Sequence, residues 1–464
     1  MVYQLPIKVK NIMNQFIQKG FQIYIVGGAI RDLLMGKNIK DWDFTTDASP
    51  EQILKIFPEG FYDNKFGTVG LLVNKEIFEI TTMRKEGIYK DFRHPIKVSW
   101  TNKVEEDLAR RDFTINAIAL GTPSKHLPVK DMKTPSTHLE GETLGIIDPF
   151  QGEPDIKNRI IRAVGNPDLR FQEDALRLIR AIRIATQLEF EIEKATKNAI
   201  VQNVTLINNI ANERIRDELF KILASDNSYQ GITLLREVGL LQIILPELEK
   251  CFGIIQQGSK HARIYDIGEH SLLTLRYTPS KNPLVRLSAL LHDIGKPKTY
   301  QVTDDGNATF YNHDVMGGNL VLKIAKKFNL PKKQSDKLFK LIRFHMFTVS
   351  EYQTDSAIRR FIRNVGLENI DDMMALRIGD RLGGGTQKET SWRMEKFQQR
   401  IKQVMQKPFS VTDLKVDGND VMQILKINPC PKVGEILQEL FEEVLKDDSK
   451  NNRDYLLQRI KAFS

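Results

Sequence analysis

The spacing of hydrophobic positions changes along the chain. Over roughly the first 150 residues, short apolar runs alternate with amphipathic stretches, and Ile23 to Val26, Val69 to Val73 and Ile77 to Thr81 are typical of strands. From 155 to about 249, apolar residues recur three and four positions apart, as in DALRLIRAIRIA, which predicts helices. Helical spacing continues to the end of the chain, interrupted by TDDGNATFYNH, where we expect a β-like turn. The pattern predicts an α/β head with a mixed sheet, followed by an all-α remainder.

Changes in this pattern suggest four regions. We expect the head at 1–150, a helical neck and body at 151–250, a histidine-containing helical domain at 251–390 and a helical tail at 391–464. A polar stretch from Thr122 to Glu142, rich in Pro, Ser, Thr and Lys, interrupts the head. We interpret that stretch as a surface insertion loop.

Charge and cysteine content narrow the class of protein. The formal net charge is +9 and the sequence pI is about 9.2, a balance that favours a polyanionic partner such as nucleic acid. Only Cys251 and Cys430 are present, far apart and outside metal-ligand spacing, which argues against a disulfide scaffold or a zinc ribbon. The first residues lack the apolar core of a signal peptide, and no run of about 18 apolar residues occurs. We expect a cytoplasmic protein with no membrane segment.

Two aspartates in the head, Asp41 and Asp43 of KDWDFTT, suggest a metal site. Residues i and i+2 of a strand point to the same face, so the two carboxylates would converge, and divalent cations would relieve their repulsion. The preceding IYIVGGAIRD predicts a buried strand, a turn at Gly27 and Gly28, and a helix that carries Arg31 in its first turn. Backbone amides at such a turn and an arginine fork both suit phosphate. Together these features predict a nucleotidyltransferase core.

Two further motifs carry candidate nucleotide contacts. In RRDFTINAIAL we expect a helix that begins near Arg111 and Asp112, with arginine meeting a triphosphate and Asp112 accepting from a ribose hydroxyl. In RFQEDALRLIRAIRIA, Asp174 and Arg177 lie three apart on a predicted helix and therefore on one face. The carboxylate of Asp174 accepts hydrogen bonds and the guanidinium of Arg177 donates them, so the two together can pair with the edge of cytosine or adenine. The protein itself could therefore select the base.

These motifs, in the order GGAIRD with DWD, RRDFTINAIA, DPFQG, EDALRLIRAIR and ANERIRDEL, resemble the class II, bacterial-type CCA-adding tRNA nucleotidyltransferases and the related poly(A) polymerases. The resemblance covers about residues 20 to 225. It implies that Asp41 and Asp43 hold two Mg²⁺ ions, with Glu79 as a third acidic group, and that Glu173 orients Arg177. The nucleotide-binding residues it implies are Gly27, Gly28, Arg31, Arg111, Asp112, Asn116, Glu173, Asp174, Arg177 and Arg180.

A segment between the first two motifs, MRKEGIYKDFRHP, resembles the flexible loop with which CCA-adding members change from CTP to ATP. Arg84, Asp91 and Arg93 are its candidate functional residues. The loop appears at full length, whereas enzymes that add only CC have it shortened.

Histidines and aspartates in the second half form another candidate metal site. LLHDIGKP contains His292 and Asp293, and imidazole and carboxylate groups are common ligands of divalent metals. The pattern resembles the HD phosphohydrolase superfamily, and it implies a divalent metal of unknown identity and a phosphatase or 2′,3′-cyclic phosphodiesterase activity. Lys296 could neutralise developing charge. The implied ligands are His270, His292, Asp293, His313, His345 and Asp380.

The sequence as a whole predicts an enzyme that builds or repairs the 3′-terminal CCA of tRNA from CTP and ATP, without a nucleic-acid template. Its expected partners are tRNA, ATP and CTP, and its oligomeric state, monomer or homodimer, stays open. Two alternatives remain at this point. One is an A-adding tRNA nucleotidyltransferase or poly(A) polymerase, and the other is an HD-type phosphohydrolase with an RNA-binding head.

Overall fold

The computed structural model describes residues 4–39, 41–62, 67–87, 98–121, 133–139, 142–257, 264–304, 306–347, 349–350, 352–405 and 411–463. The chain divides into two compact units. The first comprises Met1–Glu249 and Lys327–Asn329, and the second comprises Lys250–Lys326 and Leu330–Ser464.

The first unit contains an antiparallel-rich sheet and a run of helices. Its strands are β1 Ile23–Val26, β2 Asp43–Thr46, β3 Phe61–Tyr62, β4 Thr68–Val73, β5 Glu76–Thr82, β6 Arg84–Glu86, β7 Val98–Trp100, β8 Ala119–Gly121, β9 Lys133–Leu139, β10 Glu142–Ile147, β11 Ile160–Ile161 and β12 Glu191–Ile192. Its helices are α1 Ile7–Gln18, α2 Gly28–Leu34, α3 Pro50–Ile56, α4 Val104–Ala109, α5 Gly152–Asn158, α6 Pro167–Glu173, α7 Leu176–Leu188, α8 Lys194–Asn203, α9 Asn212–Ala224, α10 Ser228–Glu237, α11 Leu241–Ile244 and α12 Pro246–Glu249.

Eight of the described strands form one mixed sheet in the order β3-β4-β5-β2-β1-β8-β10-β9. Strands β2 and β5 pair in parallel, and the other neighbours in this sheet are antiparallel. Strand β1 is buried along its whole length, because Ile23 and Ile25 pack into the core on one face while Tyr24 and Val26 pack into the core on the other. Strand β2 lies between this buried strand and β5, whose face carrying Glu79 is exposed.

Three predictions about the first unit need correction. The helix expected in RRDFTINAIAL is only a 3₁₀ turn at Thr114–Asn116, followed by strand β8. Part of the stretch interpreted as an insertion loop is strand β9, which pairs with β10 at the edge of the sheet. The region from 155 to 249 is not entirely helical, because β11 and β12 form a short parallel pair within it.

The second unit is mostly helical. Its helices are α13 Ile267–Tyr277, α14 Pro283–Leu291, α15 Lys296–Thr299, α16 His313–Lys327, α17 Lys332–Arg343, α18 Asp355–Val365, α19 Ile370–Gly383, α20 Trp392–Met405, α21 Gly418–Leu425, α22 Pro431–Lys446 and α23 Arg453–Lys461. Two short hairpins add β13 Ile255–Gln257 with β14 Ile264–Asp266, and β15 Gln301–Val302 with β16 Ala308–Thr309. The second hairpin confirms the turn expected in TDDGNATFYNH.

Apolar clusters hold the second unit together. One cluster packs residues of α18, α19 and α20, and a separate one packs residues of α21, α22 and α23. Within the described part of the chain, no helix combines the length and apolar character needed to cross a bilayer.

Candidate active sites

Two carboxylates of the head lie side by side on neighbouring strands. Asp43 begins β2 and is the register partner of Glu79 on the parallel strand β5. Partners in a parallel pair share a face of the sheet, and the neighbouring Phe44 and Ile80 point into the core on the opposite face. Asp41 lies before the strand, not within it as expected, and it is exposed.

The charge around Asp43 is consistent with a cation site. Burial raises the pKa of Asp43; Arg111 opposes this, and the carboxylates of Glu79 and Asp41 raise the pKa further, so the net shift is upward. An anionic group that burial and like charges disfavour is one that a divalent ion would stabilise. The acidic residues present therefore fit a metal site.

Gly27 allows the backbone to pass close to these charges. Its φ is +71°, in the region that favours glycine, and it precedes α2. A Cβ on Gly27 would lie 3.0 Å from Arg111 Nη1 and 3.6 Å from Asp43 Oδ2. The glycine turn thus lies against both the acidic residue and the arginine, as the motif suggested. Gly28 begins α2.

Asp107 is a site residue that sequence reasoning missed. Its side chain is fully buried and accepts from Arg110 Nε at 3.0 Å and from Arg111 Nη2 at 3.4 Å. Burial raises the pKa of Asp107, but the two arginines lower it by more. The net shift of this pKa is downward. Its position three and four residues before the arginines, on α4, was the signal in the sequence.

Asp112 and Asn116 connect the first motif to the third. Arg31 Nη1 donates to Asn116 Oδ1 at 2.9 Å, and Asn116 Nδ2 donates to Asp112 Oδ1 at 3.1 Å. Asp112 Oδ1 also accepts from Phe113 N, and its Oδ2 accepts from Arg180 Nε at 2.9 Å and Nη2 at 2.5 Å. These bonds use the four acceptor positions of a carboxylate. Burial raises the pKa of Asp112, but Arg180 and Asn116 outweigh it and hold the pKa well below its usual range.

The residues expected to read the base lie at the junction of α6 and α7. Arg177 is buried, and its Nη1 donates to Glu173 Oε2 at 2.6 Å and to the Arg170 carbonyl at 3.0 Å. Its Nη2 donates to the Arg110 carbonyl at 3.0 Å. Asp174 caps the end of α6 and accepts from Leu176 N at 3.0 Å, so it does not lie inside a continuous helix with Arg177. The geometry brings Glu173 and Arg177 together as expected.

The segment that resembles a flexible loop falls largely on residues 88–97, outside the described residues, so Asp91 and Arg93 are not described. The backbone N of Arg84 donates to Asp107 Oδ1 at 3.3 Å.

In the second unit, helix ends bring the histidines and aspartates together. Asn282 caps α14 and Pro283 starts it, while His292 follows the last residue of the helix. Asp266 caps α13, which carries His270, while α16 begins at His313. His345 follows α17, and α19 carries Asp380.

Short distances join the six side chains into one cluster. Asp293 Oδ2 lies 3.2 Å from His292 Nε2 and 3.8 Å from His270 Nε2. Its other oxygen lies 3.5 Å from His313 Nε2 and 3.8 Å from His345 Nε2. Asp380 Oδ1 lies 3.2 Å from His270 Nε2. All six residues expected from the sequence are therefore neighbours, with Asp293 at the centre.

The orientation of the imidazoles fits metal ligation. The Nδ1 atoms of His292, His313 and His345 each face a backbone carbonyl at 2.7 or 2.8 Å, which favours a proton on Nδ1. The Nε2 atoms then point into the cluster, where those of His313 and His345 lie 3.4 Å apart. His292 is buried, and its Nε2 faces the carboxylate of Asp293. Converging lone pairs beside two carboxylates are a suitable donor set for a divalent metal.

Two residues of the HDIGKP motif have structural roles. Lys296 Nζ donates to Asp293 Oδ2 at 2.5 Å and to Gln256 Oε1 at 2.6 Å, and the side chain is buried. A Cβ on Gly295 would lie 2.0 Å from the carbonyl oxygen of His313, so only glycine lets the start of α16 approach Asp293. Sequence reasoning missed Gly295, because a close approach between distant segments leaves no local pattern.

Four family models match the chain. They are the "Poly A polymerase head domain" at 23–162, the "Probable RNA and SrmB-binding site of polymerase A" at 189–252, the "HD domain" at 260–380 and "tRNA nucleotidyltransferase domain 2" at 321–460. The first covers the carboxylates of the head, and the HD model covers the histidine cluster. Both families generally use divalent metals.

CCA-adding enzymes of several bacteria are similar to this chain. The CCA-adding enzyme of Ligilactobacillus salivarius is 32% identical over 98% of this chain and 96% of its own. That of Geobacillus stearothermophilus is 41% identical over 49% of this chain and 52% of its own. A solved CCA-adding enzyme from Bacillus stearothermophilus, in complex with CTP, superposes with a TM-score of 0.66 at 26% identity, over 98% of this chain and 96% of that one. The chain belongs to the class II, bacterial-type CCA-adding enzymes, a family of nucleotidyltransferases, and it carries an HD domain.

Proposed function

We propose that this protein adds or repairs the 3′-terminal CCA of tRNA, using CTP and ATP and selecting each base without a nucleic-acid template. The observation that carries the proposal is the pairing of Asp43 with Glu79 beside Gly27 and Arg111. A relative that matches nearly the whole chain is a CCA-adding enzyme, and a similar solved enzyme is in complex with CTP. The basic net charge suits the phosphates of tRNA, and the reduced cysteines suit a cytoplasmic setting.

Asp41, Asp43 and Glu79 would hold two Mg²⁺ ions. When bound, such ions lower the pKa of the attacking 3′ hydroxyl of the RNA and neutralise the triphosphate. The upward pKa shift of Asp43 supports this assignment, because its causes include burial and the two other carboxylates. Arg31 and Arg111, next to the Gly27 turn, would bind the phosphates, and Asp107 would fix the orientation of Arg111.

Arg177 and Asp174 would read the base. The three hydrogen bonds of Arg177 to Glu173 and two carbonyls use three of the five N–H groups of its guanidinium, which fixes the plane of the fork. Asp112 would act mainly by positioning Asn116 and Arg180, since its acceptor positions are filled. A ribose hydroxyl could bond to Asp112 only by displacing one of these donors.

The proposal is tested with tRNA transcripts that end before CCA, after C and after CC. Each is incubated with CTP, ATP or both in the presence of Mg²⁺. We expect two cytidines and then one adenosine, loss of addition in Asp43→Ala and misincorporation in Arg177→Ala, with the exposed-site variant Glu59→Gln as a matched control. Adenosine added only to the CC transcript, or an open-ended adenosine tail, would favour the A-adding or poly(A) alternative.

A second activity, hydrolysis of a phosphoester, is favoured by the six-residue cluster around Asp293. A metal held there would polarise a phosphoryl oxygen and lower the pKa of an attacking water. In the reaction, water adds its oxygen to phosphorus, the P–O ester bond breaks, and the leaving alkoxide takes the proton. Lys296 and the carbonyls behind the histidines would keep Asp293 and the imidazoles in place.

This activity is tested on phosphomonoesters and 2′,3′-cyclic nucleotides with Mg²⁺, Mn²⁺, Ni²⁺ and Zn²⁺ supplied in turn. We expect one or more of these metals to support turnover that is absent from His292→Ala. If His292→Ala showed the same turnover as the parent protein, or if the parent showed no turnover with any metal, the cluster would have only a structural role.

A further inference from the structure

A cavity of about 490 Å³ in the second unit is lined by arginine and aromatic side chains. Helix α19 contributes Arg377 and Arg381, the first turn of α20 contributes Trp392 and Arg393, and Phe347 follows α17. Among the described residues that line this arginine pocket, none is acidic. Its volume lies in the range typical of small-ligand sites.

The arginine pocket lies against the HD cluster. Arg377 Nη1 donates to Asp380 Oδ2 at 3.1 Å, so one pocket residue directly holds a cluster residue. Arg381 is the next residue after Asp380, and Phe347 is two residues after His345. A ligand bound in the pocket would therefore lie beside the proposed hydrolytic centre.

The chemistry of the lining suits a phosphate and an aromatic base. Arg381 Nε is buried and has no hydrogen-bond partner among the described residues, which leaves a donor for an anion. Trp392 is 56% exposed, so its indole face is available for stacking. The guanidinium of Arg393 lies 5.2 Å from the centroid of that ring, which adds positive charge beside the stacking surface.

We propose that the arginine pocket binds a nucleoside phosphate, with the base stacked on Trp392 and the phosphate at Arg381, and that it selects the substrate of the HD centre. Its role in selection rests on the proposed phosphoester hydrolysis, whereas the binding itself does not. A free mononucleotide and the terminal nucleotide of an RNA share this chemistry. If the pocket bound only the phosphates of an RNA backbone, its affinity would depend on the arginines but not on Trp392.

Binding is measured by titration calorimetry with the full chain carrying Arg177→Ala, which removes the base-reading contact proposed in the head. EDTA is present, so that no metal can hold a phosphate in the head. The probes are adenosine 3′-monophosphate, adenosine and inorganic phosphate. We expect the monophosphate to bind about tenfold or more tightly than either part alone, since both parts contribute. Trp392→Leu should weaken its binding about fivefold or more, and Arg381→Gln about tenfold. Arg363→Gln, an exposed arginine outside the pocket, is the matched control.

Conservative variants separate recognition from folding. Trp392→Phe keeps an aromatic face and Arg381→Lys keeps the charge, so both should recover most of the affinity. A short RNA with a 3′ phosphate identifies the source: competition at the concentrations effective for the mononucleotide supports an RNA terminus, and its absence supports a free nucleotide.

Affinity unchanged in both Trp392→Leu and Arg381→Gln would overturn the inference. So would affinity that depends on Arg381 but not on Trp392. The proposed hydrolysis is judged separately by His292→Ala, so either conclusion can fail while the other stands.

Discussion

The ionised form of Asp43 is destabilised in the metal-free protein. Burial opposes its ionisation, Arg111 compensates only in part, and Glu79 and Asp41 add repulsion. Because the folded-state pKa lies above the unfolded value, ionised Asp43 destabilises the fold, and the cost grows as pH rises through the folded pKa.

Replacing Asp43 by Asn should therefore raise the midpoint of thermal unfolding in EDTA at pH 7 to 8, with the difference shrinking toward acidic pH. Added Mg²⁺ should raise the midpoint of the parent protein more than that of the variant, since ligands stabilise the state that binds them. Differential scanning fluorimetry gives both values, with Glu59→Gln as the control. A variant that is less stable than the parent in EDTA would contradict the assignment.

The contribution of Asp112 to the stability of the fold should depend on pH in the opposite direction. Its pKa is depressed, because Arg180 and Asn116 outweigh the effect of burial. A depressed carboxyl pKa contributes stability that is present above the unfolded value, about 3.9, and is lost as pH falls toward the folded value.

We expect Asp112→Asn to lower the thermal midpoint by about 5–10 °C at pH 7, since it breaks a largely buried ion pair. The difference should narrow below about pH 4. Glu237→Gln, which removes an exposed pair with Lys197, should change the midpoint by about 2 °C or less. A difference between Asp112→Asn and the parent that does not vary with pH would show that lost packing, and not charge, destabilises the variant.

At the scale of elements, the position of His313 in the HD cluster depends on how closely the turn at Gly295 approaches the start of α16. Gly295 faces the His313 carbonyl and the Gly317 backbone N, which a Cβ would approach to 2.0 and 2.7 Å. Gly295→Ala should push the start of α16 away and withdraw His313 from Asp293. The cost of such overpacking is about 1–3 kcal/mol or more.

Gly295→Ala should consequently weaken Mn²⁺ binding to the HD cluster, measured by calorimetry in an Asp43→Asn background that disables the head site. Gly434→Ala is the matched control, since nothing lies within 4 Å of a Cβ there and helix α22 should gain slightly. Unchanged Mn²⁺ affinity in Gly295→Ala would mean that His313 is not a ligand.

Some elements could be predicted from the sequence pattern and others could not. Strand β1 was predictable because its apolar run is short, β-branched and bounded by a glycine turn. The segment Ala117 to Leu120 was taken for helix, yet its side chains alternate between two cores, Ile118 and Leu120 in one and Ala117 and Ala119 in the other. An apolar run buried on both faces has no polar side, so periodicity alone does not distinguish strand from helix.

Motif residues with their own chemistry were found, but their tertiary partners were not. The six residues of the HD cluster were predicted from type and order, and they do lie together. The bond from Arg180 to Asp112 joins segments 68 residues apart in the sequence, and no local pattern encodes such a contact. The bond from Arg377 to Asp380 has the i,i+3 spacing of a helix, so it was within reach of the sequence pattern but was not predicted.

At the scale of the whole molecule, each candidate site is built within one compact unit. The residues from Gly27 to Arg180 belong to the first unit, and those from His270 to Asp380 belong to the second. Neither site includes a described residue of the other unit. Each site should therefore keep its chemistry when the other is disabled.

Asp43→Ala should abolish CCA addition to a transcript that lacks CCA, while metal-dependent phosphoester hydrolysis stays within about twofold of the parent, because the HD ligands are unchanged. His292→Ala should give the reverse, and each variant serves as the folding control for the other. Both activities are measured on the same preparations with the tRNA transcripts and a 2′,3′-cyclic nucleotide. Loss of both activities in either variant would show that one site depends on the other, which two self-contained sites do not predict.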